Sequence, residues 1–447
     1  MTEISIPWGE QPLAAKLPAS WELQQVAAPS VADASADWPE HLAGALGRPE
    51  DSLPLERLLA ARRTGRIVLV VEDATRHSPL PQILQVIFRE LDHAQIPRQS
   101  VEILFATGMH PPLTARQAAD KLGADIASSV PCRSNDARDR RGHVRIGVIS
   151  EPGGAHLDLW LDRRLAQADL RIVVSSVSPH LQAGFGGGAK MLLPGCAYSQ
   201  SIRRLHLLGL TRQRQDQVGQ AAADNRMRRL INAAGAALDA RGGKTFGVQY
   251  VLDGADRLGT IACGDLAACQ ALLAKKCAAD YGVVVENTAD VVVTSAYGRD
   301  FDLWQSFKAI ANVAGAARSG GAIICLTRCT AGLNGMPTVQ LPVSPRVVRG
   351  FVRLMGADSL ASLLTRLVPR LAGDAAFFVR LALRTLERNT VMMVCPTLAR
   401  SGKGLVGLPM FETPEQAFAQ AELQLGQGPK RVLFFPAGGV SYPILRR

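Results

Sequence analysis

Short β-branched runs alternate with loops and amphipathic segments along most of this chain. Arg66-Ile-Val-Leu-Val-Val-Glu72 holds five consecutive apolar residues between two charges, which predicts a strand covered on both faces. It gives way to Asp73-Ala-Thr-Arg76 and then to a helical pattern over Leu80–Ala94. Val101–Phe105 predicts the next strand, followed by Ala106-Thr-Gly-Met-His110 and a helix capped by Thr114. Leu170–Val177 predicts a third strand and Tyr198–Leu210 a helix. Beyond a helical Leu266–Tyr281, strands are predicted at Asp290–Ser295, Gly321–Leu326, Thr390–Cys395 and Lys430–Phe435, with helices over Leu303–Ala317 and 345–388.

This alternation predicts an α/β fold of two α/β domains, each a largely parallel sheet covered by helices. The expected boundary is near residue 283: residues 1–283 form one domain and 284–435 the other, with the tail 436–447 returning to the first. Ligands of open α/β sheets sit outside the carboxyl ends of strands. Four polar groupings follow such ends: Asp73–Arg76, His110, His180–Lys190 and Tyr297–Lys308. The expected active site is therefore a cleft between the two domains.

Composition narrows the function class. The chain has 447 residues, 47% hydrophobic and 20% charged, which is globular and long enough for two cores. No apolar run reaches the length of a membrane span, and the first residues carry no signal-peptide pattern. The eight cysteines form no CxxC pair, so no zinc ribbon or disulfide framework is indicated; a reducing, cytoplasmic setting is expected. The net charge is +11, but aromatics make up only 5% and no base-stacking platform stands out. The expectation is a site for small anions, with no nucleic-acid or membrane partner.

The candidate chemistry is concentrated in Ser178-Pro-His-Leu-Gln-Ala-Gly-Phe-Gly-Gly-Gly-Ala-Lys190, with His206 sixteen residues further on. Lysine is scarce, nine residues against forty-one arginines, so a lysine closing a glycine loop points to amine chemistry. Partial burial would lower its pKa and raise its nucleophilicity. Gly184, Gly186, Gly187 and Gly188 resemble a phosphate cradle, although neither the dinucleotide fingerprint nor a P-loop is present. The plainer reading is a mobile surface loop. His110 and His180, on separate loops, suit paired acid–base work on opposite faces of one carbon, or else are capped loop histidines. His206 suits a soft-metal ligand or a helix-surface residue. Arg76, with Asp73 and Thr75 beside it, can grip a phosphate or carboxylate, or simply cap a helix. Gln305 and Lys308 share a helix face and could bind a substrate carboxylate and hydroxyl.

Taken together, these pieces resemble the lactate racemase family, whose members use a nickel-pincer nucleotide. The matching segments are Asp73-Ala-Thr-Arg76, Gly108-Met-His110, Ser178-Pro-His180, Ala183–Lys190, Leu193-Pro-Gly195, His206 and Asp302-Leu-Trp-Gln305-Ser-Phe-Lys308. The resemblance is densest from 66 to 210. It implies that residues 1–283 carry the nucleotide and nickel and that 284–435 orient substrate. Lys190 would bear the pyridinium-3,5-bisthiocarboxylic acid mononucleotide through a thioamide, and His206 would complete the nickel coordination. Asp73, Ala74, Thr75 and Arg76 would hold the nucleotide. His110 and His180 would be the catalytic acid–base pair, and Arg76, Gln305 and Lys308 would contact substrate. The implied reaction is racemisation or epimerisation of a 2-hydroxy acid by proton-coupled hydride transfer, with the cofactor-making enzymes as transient partners.

The loop departs from the family's usual Ser-Gly-Gly-Arg-Lys, reading Gly186-Gly-Gly-Ala-Lys190, and Gly-Met-His-Pro-Pro replaces the usual Gly-Thr-His-Arg-Pro. A family His-Asp pair stands here as Asn135-Asp136. The resemblance therefore implies a lactate-like or larger hydroxy acid without fixing its tail. Two other readings stay open from the residues alone: a zinc-dependent hydrolase using His110, His180 and His206, and a non-catalytic nucleotide-binding protein.

Overall fold

The computed structural model describes the whole chain except residues 1, 63, 152, 153, 155, 210–217, 334–343, 369, 370, 372–374, 403, 404, 406 and 447. Contacts divide it into two compact units. One holds residues 31–212 and 219–280; the other holds 1–30, 213–218 and 281–447. Both are α/β.

The first unit is built on a six-stranded sheet. Its order is Leu258–Gly264, Lys244–Leu252, Leu170–Ser176, Ile67–Glu72, Val101–Ala106 and Cys132–Ser134. All neighbouring pairs are parallel except the first, an antiparallel hairpin. Every residue of Ile67–Glu72 is buried, as an apolar run in a central strand requires. The helix Leu80–His93 turns Leu80, Ile83, Leu84, Val86, Ile87, Phe88 and Leu91 into the core, an amphipathic spacing that covers one face of this sheet. The other face is closed by Leu192, Leu193, Ile202, Leu205, Leu230, Ile231 and Leu238. Thr114 caps its helix as expected, with a reciprocal capping box to Gln117.

The second unit is built on a six-stranded sheet, all parallel, in the order Met410–Phe411, Thr390–Val394, Ala317–Leu326, Ala289–Ser295, Lys430–Phe435 and Trp21–Val26. The expected helix over 345–388 is three helices, Pro345–Met355, Ala357–Leu367 and Ala375–Arg388, and residues 369, 370 and 372–374 lie outside the described residues.

Two details of the expected domain division need correcting. Residues 1–30 pack with the carboxyl-terminal unit, because Trp21–Val26 hydrogen-bonds along Lys430–Phe435. The tail does not return to the amino-terminal unit; Tyr442–Leu445 pairs in parallel with Gly282–Val285, inside its own unit. No helix among the described residues is long and apolar enough to cross a membrane.

Candidate active site

Three adjacent strands of the first unit end side by side: Val101–Ala106, Ile67–Glu72 and Leu170–Ser176. Their carboxyl ends deliver His110, Asp73 and the 178–190 loop in turn. The chain leaves Ile67–Glu72 toward one edge and later returns on its other side at Leu170–Ser176, which makes this a topological switch point.

Asp73 is 7% exposed and both its oxygens are engaged. Oδ1 accepts from the Thr75 amide at 3.0 Å and the Thr75 hydroxyl at 2.6 Å; Oδ2 lies 2.5 Å from His110 Nδ1. Burial works to raise the Asp73 carboxyl pKa. The His110 hydrogen bond and the positive charge of Arg76 outweigh it and hold the acid well below the usual carboxylate range. An ionised Asp73 therefore takes the Nδ1 proton of His110 as a hydrogen bond and leaves Nε2 as the lone-pair nitrogen of the neutral ring. The resemblance gave Asp73 to the nucleotide; in the structure its two oxygens serve His110 and Thr75. Ala74 and Thr75 lie exposed in the turn, and Arg76 is half-buried with its carbonyl held by Lys121 Nζ at 2.7 Å.

His180 is fixed in the opposite sense. Pro179-His180 pairs antiparallel with Gly184-Phe185, and the tight return brings the amides of Gln182 and Ala183 to 3.3 and 3.1 Å from Nδ1. A nitrogen that accepts two N–H bonds carries no proton, so the proton of the neutral ring sits on Nε2. The two imidazoles are thus opposite in tautomer, one presenting a lone pair at Nε2 and the other a proton.

The glycine loop spends at least three of its amides inside the fold rather than offering them to an anion. The Gly186 amide donates to Ser178 O at 2.7 Å, the Gly188 amide to Ser175 Oγ at 3.3 Å and the Lys190 amide to Gly187 O at 3.3 Å. Glycine is required by packing instead. Gly187 sits at φ +69°, and a Cβ there would lie 2.7 Å from Val177 Cγ2; at Gly184 it would lie 2.1 Å from Gln220 O.

Lys190 rides on the short turn Gly188–Met191. Burial, then the charges of Arg76 and Arg228, push its amine down to about 7 against the partial opposition of Asp73. Its loop is stitched to that of His110: Gly195 N donates to Lys190 O at 3.1 Å, and Gly108 N donates to Gly195 O at 2.8 Å. His206, on the helix Ser199–Gly209, is half-buried, and its carbonyl accepts from Gln182 Nε2 at 3.1 Å. One glutamine thus ties the His206 turn to the residue that fixes His180. Among the described residues, no three histidine, cysteine, aspartate or glutamate side chains gather to hold a metal ion. A zinc site made of His110, His180 and His206 therefore has no support in the geometry.

Gln305 and Lys308 belong to the other unit, on the helix Leu303–Val313 that Asp302 caps. Lys308 Nζ donates to Gln305 Oε1 at 2.6 Å, so the expected pair does share one face.

Several residues that organise the site carried no sequence signal. Asn225 caps the helix Arg226–Arg241, accepts from Arg228 N at 2.8 Å and donates Nδ2 to Gln182 O at 2.8 Å. Arg228 donates to the carbonyls of Phe185, Gly186 and Gly187. Lys121 lies 3.7 Å from the buried Glu72 beside Asp73.

The family model for the lactate racemase N-terminal domain matches residues 8–219. That segment, just under half of the chain, carries the likeness to the lactate racemase family. A lactate racemase of Thermoanaerobacterium thermosaccharolyticum is 27% identical over 348 residues, 75% of this chain and 76% of the relative. The lactate racemase of Lactiplantibacillus plantarum is 27% identical over 296 residues, 65% of this chain and 66% of the relative. The lactate racemase apoprotein structure from T. thermosaccharolyticum superimposes with a TM-score of 0.80 at 22% identity, covering 100% of both chains. A Thermotoga maritima protein follows at 0.64 and 15% identity, covering 91% of this chain and 98% of that one. These two likenesses show the fold alone.

Proposed function

We propose that the chain is an isomerase that racemises or epimerises a 2-hydroxy acid, lactate or a larger relative, with a nickel-pincer nucleotide carried on Lys190. What supports the reading is that two histidines after different strands of one sheet are held in opposite tautomers, and that the loop of His180 also carries a lysine whose amine titrates near neutrality. Inverting a carbon that bears a hydroxyl calls for a base on one face and an acid on the other.

The residues present fit a lysine-anchored anionic group. The Lys190 amine is largely unprotonated above pH 7, as bond formation requires, and Arg76 and Arg228 supply positive charge around it. When bound, the nucleotide would accept hydride from the substrate carbon and return it, with His206 as the proposed protein ligand of its nickel. The protein's part is proton handling and orientation. His110, oriented by Asp73, removes the hydroxyl proton at Nε2 in one direction; His180, through its Nε2 proton, serves the opposite face. Arg76 is proposed to contact the nucleotide phosphate or the substrate carboxylate, with Ala74 and Thr75 lining the same turn. Gln305 and Lys308 are proposed to orient the substrate. A cytoplasmic setting, with the cofactor-making enzymes as transient partners, goes with this proposal.

The test is co-production with the cofactor-making enzymes, then intact-protein mass spectrometry and chiral analysis of 2-hydroxy acids. A covalent adduct on Lys190, one nickel per chain and interconversion of enantiomers are expected, all lost in Lys190→Ala. Racemisation that persists in Lys190→Ala overturns the reading.

A further inference from the structure

Arg228 is 1% exposed, on the first turn of the helix Arg226–Arg241. Its guanidinium donates to three successive carbonyls of the glycine loop, Gly187 at 3.1 Å, Gly186 at 3.2 Å and Phe185. No carboxylate among the described residues pairs with it, and its Nε meets no acceptor. Burying an unneutralised cation is costly, and folds retain one only where something offsets the penalty. Three carbonyls offset part of it. They do not explain why an ion stands where a neutral amide could donate to the same oxygens. Gln270, a neutral donor to Gly186 O at 3.5 Å, already sits beside it.

The helix approaches the lysine turn closely. A Cβ on Gly235 would lie 3.1 Å from Ala189 Cβ, so the turn Gly188–Met191 rests directly on this helix. The carbonyl of Gly187 accepts both the Lys190 amide and an Arg228 N–H, which makes Arg228 the last rigid group before the amine. Facing Lys190 are Arg76 and Asp73 from the turn after Ile67–Glu72, and Arg228 from below. His110 bonds Asp73, and Lys121 with Glu72 stands behind that turn.

We propose that Arg228 is a positioning residue for Lys190: a buried guanidinium, paired with no carboxylate among the described residues, that clamps the carbonyls of residues 185–187 beneath the lysine turn and adds its charge to the surroundings of the amine. The inference deepens the proposed cofactor attachment and rests on it for its purpose, but not for its test. Like charges held close in a water-poor site disfavour a second cation, so Arg228 works on Lys190 through space while its hydrogen bonds hold the loop still.

The experiment uses the full chain without cofactor. Competitive acetylation with acetic anhydride across pH, read peptide by peptide by mass spectrometry, gives the titration of Lys190 against the other lysines. Native protein is expected to label Lys190 with a half-point near pH 7. Arg228→Gln keeps an N–H donor and loses the charge; its half-point should rise while burial and Arg76 still hold it below the ordinary lysine value, a roughly threefold drop in Lys190 labelling at pH 7. Arg228→Lys keeps the charge and loses the fork. Its half-point should stay near the native one, while amide hydrogen exchange in residues 184–189 quickens. An unmoved half-point in Arg228→Gln overturns the proposal. So does an Arg228→Lys half-point that climbs with the loop's loosening, a result readable even if Arg228→Gln folds poorly. If instead the acetylation behaves as expected but no adduct forms on co-production, the cofactor reading fails and this one stands.

Discussion

Replacing Lys190 by Met should stabilise the protein, and by an amount that depends on pH. Methionine keeps most of the aliphatic stem and removes the buried amine. In the folded state the amine titrates near 7, against 10.5 for an ordinary lysine. Below pH 7 the group is protonated both folded and unfolded, and the fold bears the whole penalty of the buried charge. Between 7 and 10.5 the unfolded chain holds a proton that the folded chain has released, so native stability climbs with pH across that window. The distance between the two values corresponds to an upper limit of ~5 kcal/mol. Lys190→Met lacks this slope. Its advantage should therefore be greatest at pH 6 and shrink steadily toward pH 10. Urea denaturation followed by tryptophan fluorescence, with Trp38 and Trp160 reporting on the unit that holds Lys190, measures both proteins at pH 6, 8 and 10. A gap that is level across that range, or widens as pH rises, would refute the claim that burial has stripped Lys190 of its proton.

Further outcomes follow from the same geometry. Asp73→Asn breaks the Nδ1 anchor of His110 and should lower kcat of the loaded enzyme ~10²-fold or more, since a well-placed acid–base group contributes ~10²–10⁴-fold; steady-state kinetics with KM little changed is the expected pattern. Gly187→Ala forces a Cβ against Val177 at a left-handed backbone position and should destabilise by ~3 kcal/mol, read as a lowered urea midpoint. Lys121→Met leaves Glu72, 4% exposed, without its ion pair; a loss of ~3 kcal/mol at neutral pH is expected, recovered in part by Lys121→Met with Glu72→Gln.

The sequence was most readable where one residue's neighbours in the chain are also its neighbours in space. Ile67–Glu72 reads as a buried parallel strand because every position in it faces apolar surroundings. Thr114 reads as a cap because its partner Gln117 is three residues away. Lys244–Leu252 is just as central, yet Gly247 and Gln249 interrupt its apolar run. Gln249 is present because its Nε2 reaches Leu266 O at 3.0 Å, a demand set by a distant helix. The ribbon His143–Ser150 with His156–Asp162 is hard to read for another reason: apolar Val148 stands exposed and Trp160 half-exposed, which blurs the alternation.

The functional positions divide along the same line. His110, His180, Lys190 and His206 stand in short motifs whose composition already hints at chemistry. What each does there is decided by strand order, which no local pattern encodes. Asp73 becomes the anchor of His110 because Ile67–Glu72 and Val101–Ala106 lie side by side in register, so the turn after one faces the loop after the other. Had the strands been separated by one more, the same two motifs would give an isolated carboxylate and an untethered ring. Arg228 makes the point more sharply. It lies thirty-eight residues beyond Lys190, on a helix with nothing in its sequence to mark it, and reaches the loop only because that helix packs through Gly235 onto Ala189. The lysine motif names the amine. Burial and Arg76 do most to lower its pKa, and Arg228 adds its charge from the far side of the packing, so a loop transplanted without this helix should carry a lysine whose amine titrates closer to the ordinary value.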